Sequence, residues 1–320
     1  MRVVLGTIVG NVYVPGNPIW TTLLAPSSGG KTTLLAPLEA SPLCFFMNDL
    51  TEKTLMSGYK VGGKEYSVLK LAQGRVVVIS DFTTILAKNP QSKGEILGQL
   101  RQVYDGDYVK YTGTGKITWK GKIGMLLGCT PAIYRELESA KAMGERFLYF
   151  QMQTASDEEV ANKIAEVGMS ATEITDKLKI VFLDYLQDSY DWLKKENYQY
   201  KVELTDYQKE ELKFAAKFCV EAKATVVLDP KTGKVESMPN KAGLGRDYNM
   251  FLQVLKAWVA MEAYERQDPD FHEVTEEMMM GIKRHAYASL SRERRKLLEI
   301  LASTTDKLTS SEIGARDGFG

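Results

Sequence analysis

The sequence is short of the side chains that most often carry metal and redox chemistry: its 320 residues include three cysteines and two histidines. Cys44, Cys129 and Cys219 follow no metal-ligand or disulfide spacing, which fits a reducing compartment and gives a cytoplasmic expectation. His272 and His285 lie far apart, and no nucleophile–base pair is apparent around them. Long apolar runs are also missing. None approaches the roughly 20 residues that span a bilayer, so no membrane partner is expected. Residues 1–14 are mildly apolar but lack the charged leader and small-residue cleavage site of a signal peptide. Net charge is missing too, because 41 Lys and Arg balance 41 Asp and Glu. That balance argues against a general polyanion binder and against an acidic disordered chain, and it leaves room for a local basic surface. No internal repeat or low-complexity tract occurs.

Apolar residues make up 44% of the chain, enough for a sizeable core. Short apolar runs bounded by turn or cap residues predict strands at 19–24, 43–47, 75–80, 122–127 and 146–151. Helical patterns fall at 31–39, 93–104 and 132–142. This alternation predicts an α/β fold over residues 1–153, with a parallel sheet flanked by helices. Residues 154–288 read as a helical region, with helices at 156–167, 171–194, 206–224, 247–266 and 275–287 and a hairpin at 225–237. Met278-Met-Met280 falls at helical spacing and reads as core. Residues 289–320 form a third segment, with a helix at 294–302 and another starting at 310.

The strongest local signal is Ala25-Pro-Ser-Ser-Gly-Gly-Lys31-Thr32. It matches the phosphate-binding G-x-x-x-x-G-K-[ST] pattern except for Ala at the first glycine, and it follows an apolar strand and opens a helix. In such a loop Pro26, Ser27, Ser28, Gly29 and Gly30 bring backbone N–H groups close to phosphate. Lys31 adds a point charge, Thr32 offers a hydroxyl to Mg²⁺, and Thr33 continues the helix. ATP and Mg²⁺ are therefore the expected cofactors, and no other metal site is expected. A plain glycine turn before a helix is the alternative.

Arg75-Val-Val-Val-Ile-Ser-Asp81 is an apolar strand ending in a carboxylate, as a Walker B strand requires to reach Mg²⁺. A helix-capping role for Asp81 is the alternative. The glutamate that usually follows is replaced by Phe82-Thr83-Thr84, and the sequence does not choose between Glu52 and Glu95 as substitutes.

In their order along the chain, these pieces resemble an AAA+ ATPase of the mini-chromosome maintenance and superfamily 3 helicase type carried by phages and mobile elements. The matching segments are Asn17-Pro-Ile-Trp20, the phosphate loop, Thr51-Glu-Lys-Thr-Leu-Met-Ser-Gly58, Asp81-Phe-Thr-Thr-Ile-Leu86, Gln99-Leu-Arg-Gln-Val-Tyr-Asp-Gly106, Gly128-Cys-Thr-Pro131 and Gly144-Glu-Arg-Phe147. The resemblance implies a helical lid after the ATPase core. It implies a sensor 1 role for Thr130 and an arginine finger, given to a neighbouring subunit, for Arg146; a strand-start salt bridge is the other reading of Arg146. Gly245-Arg-Asp-Tyr248 resembles a sensor 2 segment and gives that role to Arg246, which otherwise reads as a surface arginine.

Residues 105–120 read as a β-hairpin turning at Gly113-Thr-Gly115. In the resembled class a hairpin at this place reaches a central channel, which implies phosphate contacts for Lys110, Lys116 and Lys120 and base stacking for Tyr111 or Trp119. A solvated hairpin with Trp119 packed on the core is the alternative. Residues 283–296 hold six basic residues against one acidic. With 294–302 and Thr309-Ser-Ser-Glu-Ile313 they look like the start of a winged helix-turn-helix that Gly320 cuts short. The resulting expectation is a hexameric, ring-forming ATP-driven helicase or translocase acting on DNA. A nucleotide-switched assembly or loader protein is the alternative.

Overall fold

The computed structural model describes residues 1–56, 60–61, 64–112, 115–134, 146–152, 168, 170–222, 224, 232 and 243–304. Five parallel strands form its centre: β1 (Trp20–Leu24), β2 (Cys44–Met47), β5 (Val76–Ile79), β8 (Gly124–Cys129) and β9 (Leu148–Gln151). Their order is β2-β5-β8-β1-β9. Every residue of β1, β5 and β8 is buried, so the sheet needs cover on both faces. All five strands lie where the apolar runs place them. Two short pairs stand apart: β3 (Lys60–Val61) with β4 (Lys64–Glu65), and β6 (Asp107–Thr112) with β7 (Gly115–Lys120).

The first helix, α1 (Arg2–Val12), has no side-chain cap, no acid in its first turn and no base in its last that would signal it. It is buried from Val4 to Asn11 and packs against the sheet. Its glycines allow close approach: a Cβ on Gly10 would stand 2.4 Å from Ile19 Cδ1. Polar residues on α1 are matched across the interface. Thr7 Oγ1 lies 2.8 Å from Thr21 Oγ1, and Asn11 bonds both the N–H and the carbonyl of Ile19.

Short helices α2 (Lys31–Leu35, continued by a 3₁₀ turn at Ala36–Ala40), α3 (Val68–Leu71) and α4 (Thr83–Leu86) follow strands or loops of the sheet layer. The longer α5 (Pro90–Tyr104) is capped by Asn89, whose side chain accepts from Ser92 N. The C-terminal helices are α6 (Ala171–Lys195), α7 (Asp206–Ala222), α8 (Leu244–Arg266), α9 (Glu276–Ala288) and α10 (Arg292–Ala302). A Ser170–Glu173 capping box starts α6 and the Thr275 hydroxyl starts α9. These helices do not stand apart from the sheet: α8 packs on α1, α9 on β9 and α6 on the 3₁₀ turn, and one hydrophobic cluster runs through strands and helices. Met278 and Met279 join that core, while Met280 is 49% exposed. The expected elements at 156–167 and 310–315 lie outside the described residues, as does most of 132–142 and of 225–237. Among the described residues no helix is long and apolar enough to cross a membrane.

His285 on α9 locks this packing. Its Nδ1 lies 2.9 Å from the Tyr149 carbonyl and its ring stacks on Trp258. Burial pushes its pKa down to about 4. A depressed folded-state pKa means that the unfolded chain binds the proton more readily. Stability from this group is therefore complete above about pH 6.5 and falls as the pH drops toward 4, by up to about 3 kcal/mol. Denaturant unfolding at pH 7 and pH 5 should show wild type losing more stability than His285→Gln; equal losses would contradict this.

Candidate functional site

The carboxyl ends of β1, β5 and β8 make a common rim. Leu24 is level with Cys129 and Ile79 with Leu127, so Asp81, two residues past Ile79, reaches the height of Leu24. Backbone bonds continue past the strands: Ala25 N donates to Cys129 O at 3.2 Å, Phe82 N to Gly128 O at 2.7 Å and Met152 N to Leu24 O at 2.8 Å. Gly128 permits the tight approach of β5's exit, since a Cβ there would lie 2.3 Å from Ser80 O. From β1 the chain goes to β2 on one side, and from the adjacent β8 it goes to β9 on the other. Open α/β sheets bind ligands at such a reversal, outside the carboxyl ends.

The loop after β1 fills this position. Ala25 is buried and continues the strand pairing without a positive φ, so the missing glycine costs nothing there. Pro26, Ser27 and Ser28 are exposed. Ser28 (φ 63) and Gly30 (φ 79) are left-handed, the first an uncommon conformation for a residue with a side chain. Gly29 N donates to Pro26 O at 3.1 Å. Lys31 is folded inward, its ammonium donating to Ala25 O at 2.8 Å and Pro26 O at 2.6 Å. Burial pushes its pKa down, and the nearby Asp81 charge pulls it back up. Thr32 is exposed and Thr33 half-buried.

Across the rim, Asp81 accepts a bond from Thr83 N at 3.0 Å, so it does cap a turn. It remains exposed. Thr83 is a rim residue that the sequence reading passed over: its hydroxyl accepts from Thr130 N at 3.1 Å and lies 3.5 Å from Thr130 Oγ1. Its position two residues beyond a strand-end Asp was the available signal. The two candidate glutamates are tied elsewhere, Glu52 to Ser92 and Glu95 to Gln91. Among the described residues no cluster of three His, Cys, Asp or Glu could hold a metal alone. Thr32 and Asp81 are oxygen donors that fit a Mg²⁺ whose remaining ligands are phosphate and water.

No known protein family and no curated protein matches this chain.

Arg146 lies at the opposite end of the strands from the loop. Leu148 pairs with Thr21 near the start of β1, so Arg146 sits beyond the amino ends, roughly 20 Å of strand from the loop. Its side chain is 3% exposed and donates to both Asp105 oxygens at 3.0 and 2.9 Å. Its guanidinium also lies over Tyr104, 5.5 Å from the ring centroid. In this chain the guanidinium makes the strand-start ion pair, the other of the two readings of Arg146. Arg246, exposed in the first turn of α8, acts with Arg146 on Tyr104, drawing down a hydroxyl that burial pushes up to about 12.

The β6–β7 hairpin separates its lysines by face. Tyr108 pairs with Trp119 and Lys110 with Ile117 on the inner face; Asp107 pairs with Lys120 and Tyr111 with Lys116 on the outer. Trp119 is buried and donates to Gln73 at 2.7 Å, whereas Tyr111 is 75% exposed with the Lys116 ammonium 6.0 Å from its ring. Lys110 donates to Glu52 O and Met56 O, on the inner side of the hairpin. Lys120 is exposed, 3.6 Å from Asp107. In the basic C-terminal stretch, Lys283 pairs with Glu211 and Arg295 donates to Gln151.

Asp105→Ala removes the carboxylate from a buried guanidinium and should lower stability by about 3 kcal/mol. The measurement is denaturant unfolding of the isolated chain. No change there would mean that Arg146 is free for another role.

Proposed function

We propose that the chain is an AAA+ P-loop ATPase that acts on DNA as a ring-forming, hexameric helicase or translocase of a phage or mobile element. The observation that carries this reading is the loop Ser27-Ser-Gly-Gly-Lys31-Thr32 leaving β1 at the same height as Asp81. One element supplies close backbone N–H groups and a lysine, and the other an exposed carboxylate within electrostatic reach of that lysine. The loop backbone and Lys31 would hold the ATP phosphates, Thr32 and Asp81 the Mg²⁺, and Thr130, oriented by Thr83, would face the terminal phosphate. Bound Mg²⁺ would neutralise charge on the phosphate oxygens. Lys31 would give up its two carbonyl acceptors to phosphate, which offers a stronger, charged partner. On the DNA side, Tyr111, Lys116 and Lys120 form the exposed face of the hairpin, where stacking and phosphate contacts are compatible. Arg146 has no part in this reading, and the ring and its size rest on the resemblance.

A second reading is a nucleotide-switched assembly or loader protein that does not unwind DNA. Asp81 supports it: Thr83 occupies its turn, no carboxylate follows, and Glu52 and Glu95 are tied to α5. Slow hydrolysis would suit a switch.

Both readings require phosphate binding at Lys31. Steady-state ATP hydrolysis with Mg²⁺ should be measurable, should fall about 10²-fold in Lys31→Ala, and should rise with DNA in a strongly salt-dependent way. One turnover without DNA stimulation selects the switch. Unchanged hydrolysis in Lys31→Ala, with no ATP-dependent assembly, overturns both.

A further inference from the structure

Lys110 carries a clue in where its ammonium goes. It donates to Glu52 O at 3.1 Å and Met56 O at 3.2 Å. Both carbonyls belong to residues 48–56, the segment that leaves β2 at the rim. Other elements grip the same segment. Gln99 of α5 donates to Glu52 O at 3.0 Å, and the N–H groups of Val68 and Leu69 donate to Thr54 O and Leu55 O at 3.2 Å each. Leu50, Leu55 and Met56 are buried beneath it. At its rim end, Asn48 accepts a bond from Ser80, the residue before Asp81, at 3.5 Å, and Asp49 pairs with Lys88 at 3.0 Å. One stretch of chain thus touches the neighbour of Asp81 at one end and the hairpin at the other.

Lys110 is also next to Tyr111, the most exposed aromatic of the outer hairpin face. Neighbouring strand residues point to opposite faces. A displacement of Tyr111 by something bound outside would reach Lys110 through the shared backbone, and through its ammonium two carbonyls of the segment.

We propose that Lys110 is a positioning residue that couples the outer face of the β6–β7 hairpin to the Asp81 rim through residues 48–56. This rests on the reading of that rim as a nucleotide site and of the hairpin as a nucleic-acid contact. Lys110 joins the hairpin to this segment directly, through its ammonium. Removing its ammonium leaves the holds from Gln99, Val68 and Leu69 in place. The fold should therefore survive while the link is cut.

The test is hydrogen–deuterium exchange and ATP hydrolysis on the full chain, comparing wild type, Lys110→Met and Lys110→Arg, with and without a single-stranded oligonucleotide. In wild type the oligonucleotide should alter exchange in 107–120, in 48–56 and around Asp81, and should stimulate hydrolysis. In Lys110→Met it should still protect 107–120. Residues 48–56 should no longer respond, and stimulation should fall to near the basal rate with the KM for ATP unchanged. Lys110→Arg should restore the response. The proposal is overturned if Lys110→Met transmits the signal as wild type does. It is also overturned if Lys110→Met loses protection of 107–120, because Lys110 would then be a direct ligand. A wild-type chain that binds ATP and oligonucleotide without any response in 48–56 refutes the coupling alone. A wild-type chain that binds neither refutes the functional reading and the proposal with it.

Discussion

The register of β8 is the constraint on which the rest depends. This strand hydrogen-bonds β1 on one side and β5 on the other, and its two registers fix the heights of three exits at once. A slip of either pairing would part the Lys31 loop from Asp81. Thr130 sits at the end of the same strand and is held by Thr83, which the Asp81 turn positions. Gly128 is what lets β5's exit close on β8. The site is therefore a property of sheet geometry more than of any one side chain.

The five core strands were legible because buried parallel strands leave a plain mark, a short apolar run between turn residues. The turn after β1 was legible for a similar reason: Gly29 and Gly30 mark it between a strand and a helix. At Ala25, where the motif has glycine, the backbone is still strand-like and needs no positive φ. Helix α1 left no such mark. It has no side-chain cap, no acid in its first turn and no base in its last, and its small and polar residues pack against Trp258, Thr21 and Ile19, which lie elsewhere in the chain. A salt bridge for Arg146 was within reach of the sequence, but its partner Asp105, 41 residues distant, was not. The hairpin's two faces were within reach. Lys110 shares parity with Tyr108 and lies opposite Ile117, beside a buried Trp119, so alternation alone turns it inward.

The zero net charge gains a physical meaning from these contacts. Several cations are engaged within the fold. Lys31 and Lys110 bond backbone carbonyls, and Arg146 pairs with Asp105. Lys122 donates to Gly10 O and Val14 O at the end of α1, where burial pushes its pKa down to about 8. The cations left facing solvent on the hairpin are few and local. That distribution suits contact with a threaded strand more than coating of a polyanion.

The central claim is that the loop around Lys31 is a phosphate site completed by Asp81. Isothermal titration of the chain with Mg·ATP tests it most directly, with inorganic tripolyphosphate as competitor. The account predicts saturable binding that tripolyphosphate competes away and that weakens sharply in Asp81→Asn when Mg²⁺ is present. No saturable binding at millimolar nucleotide, or binding indifferent to both tripolyphosphate and Asp81, would contradict it.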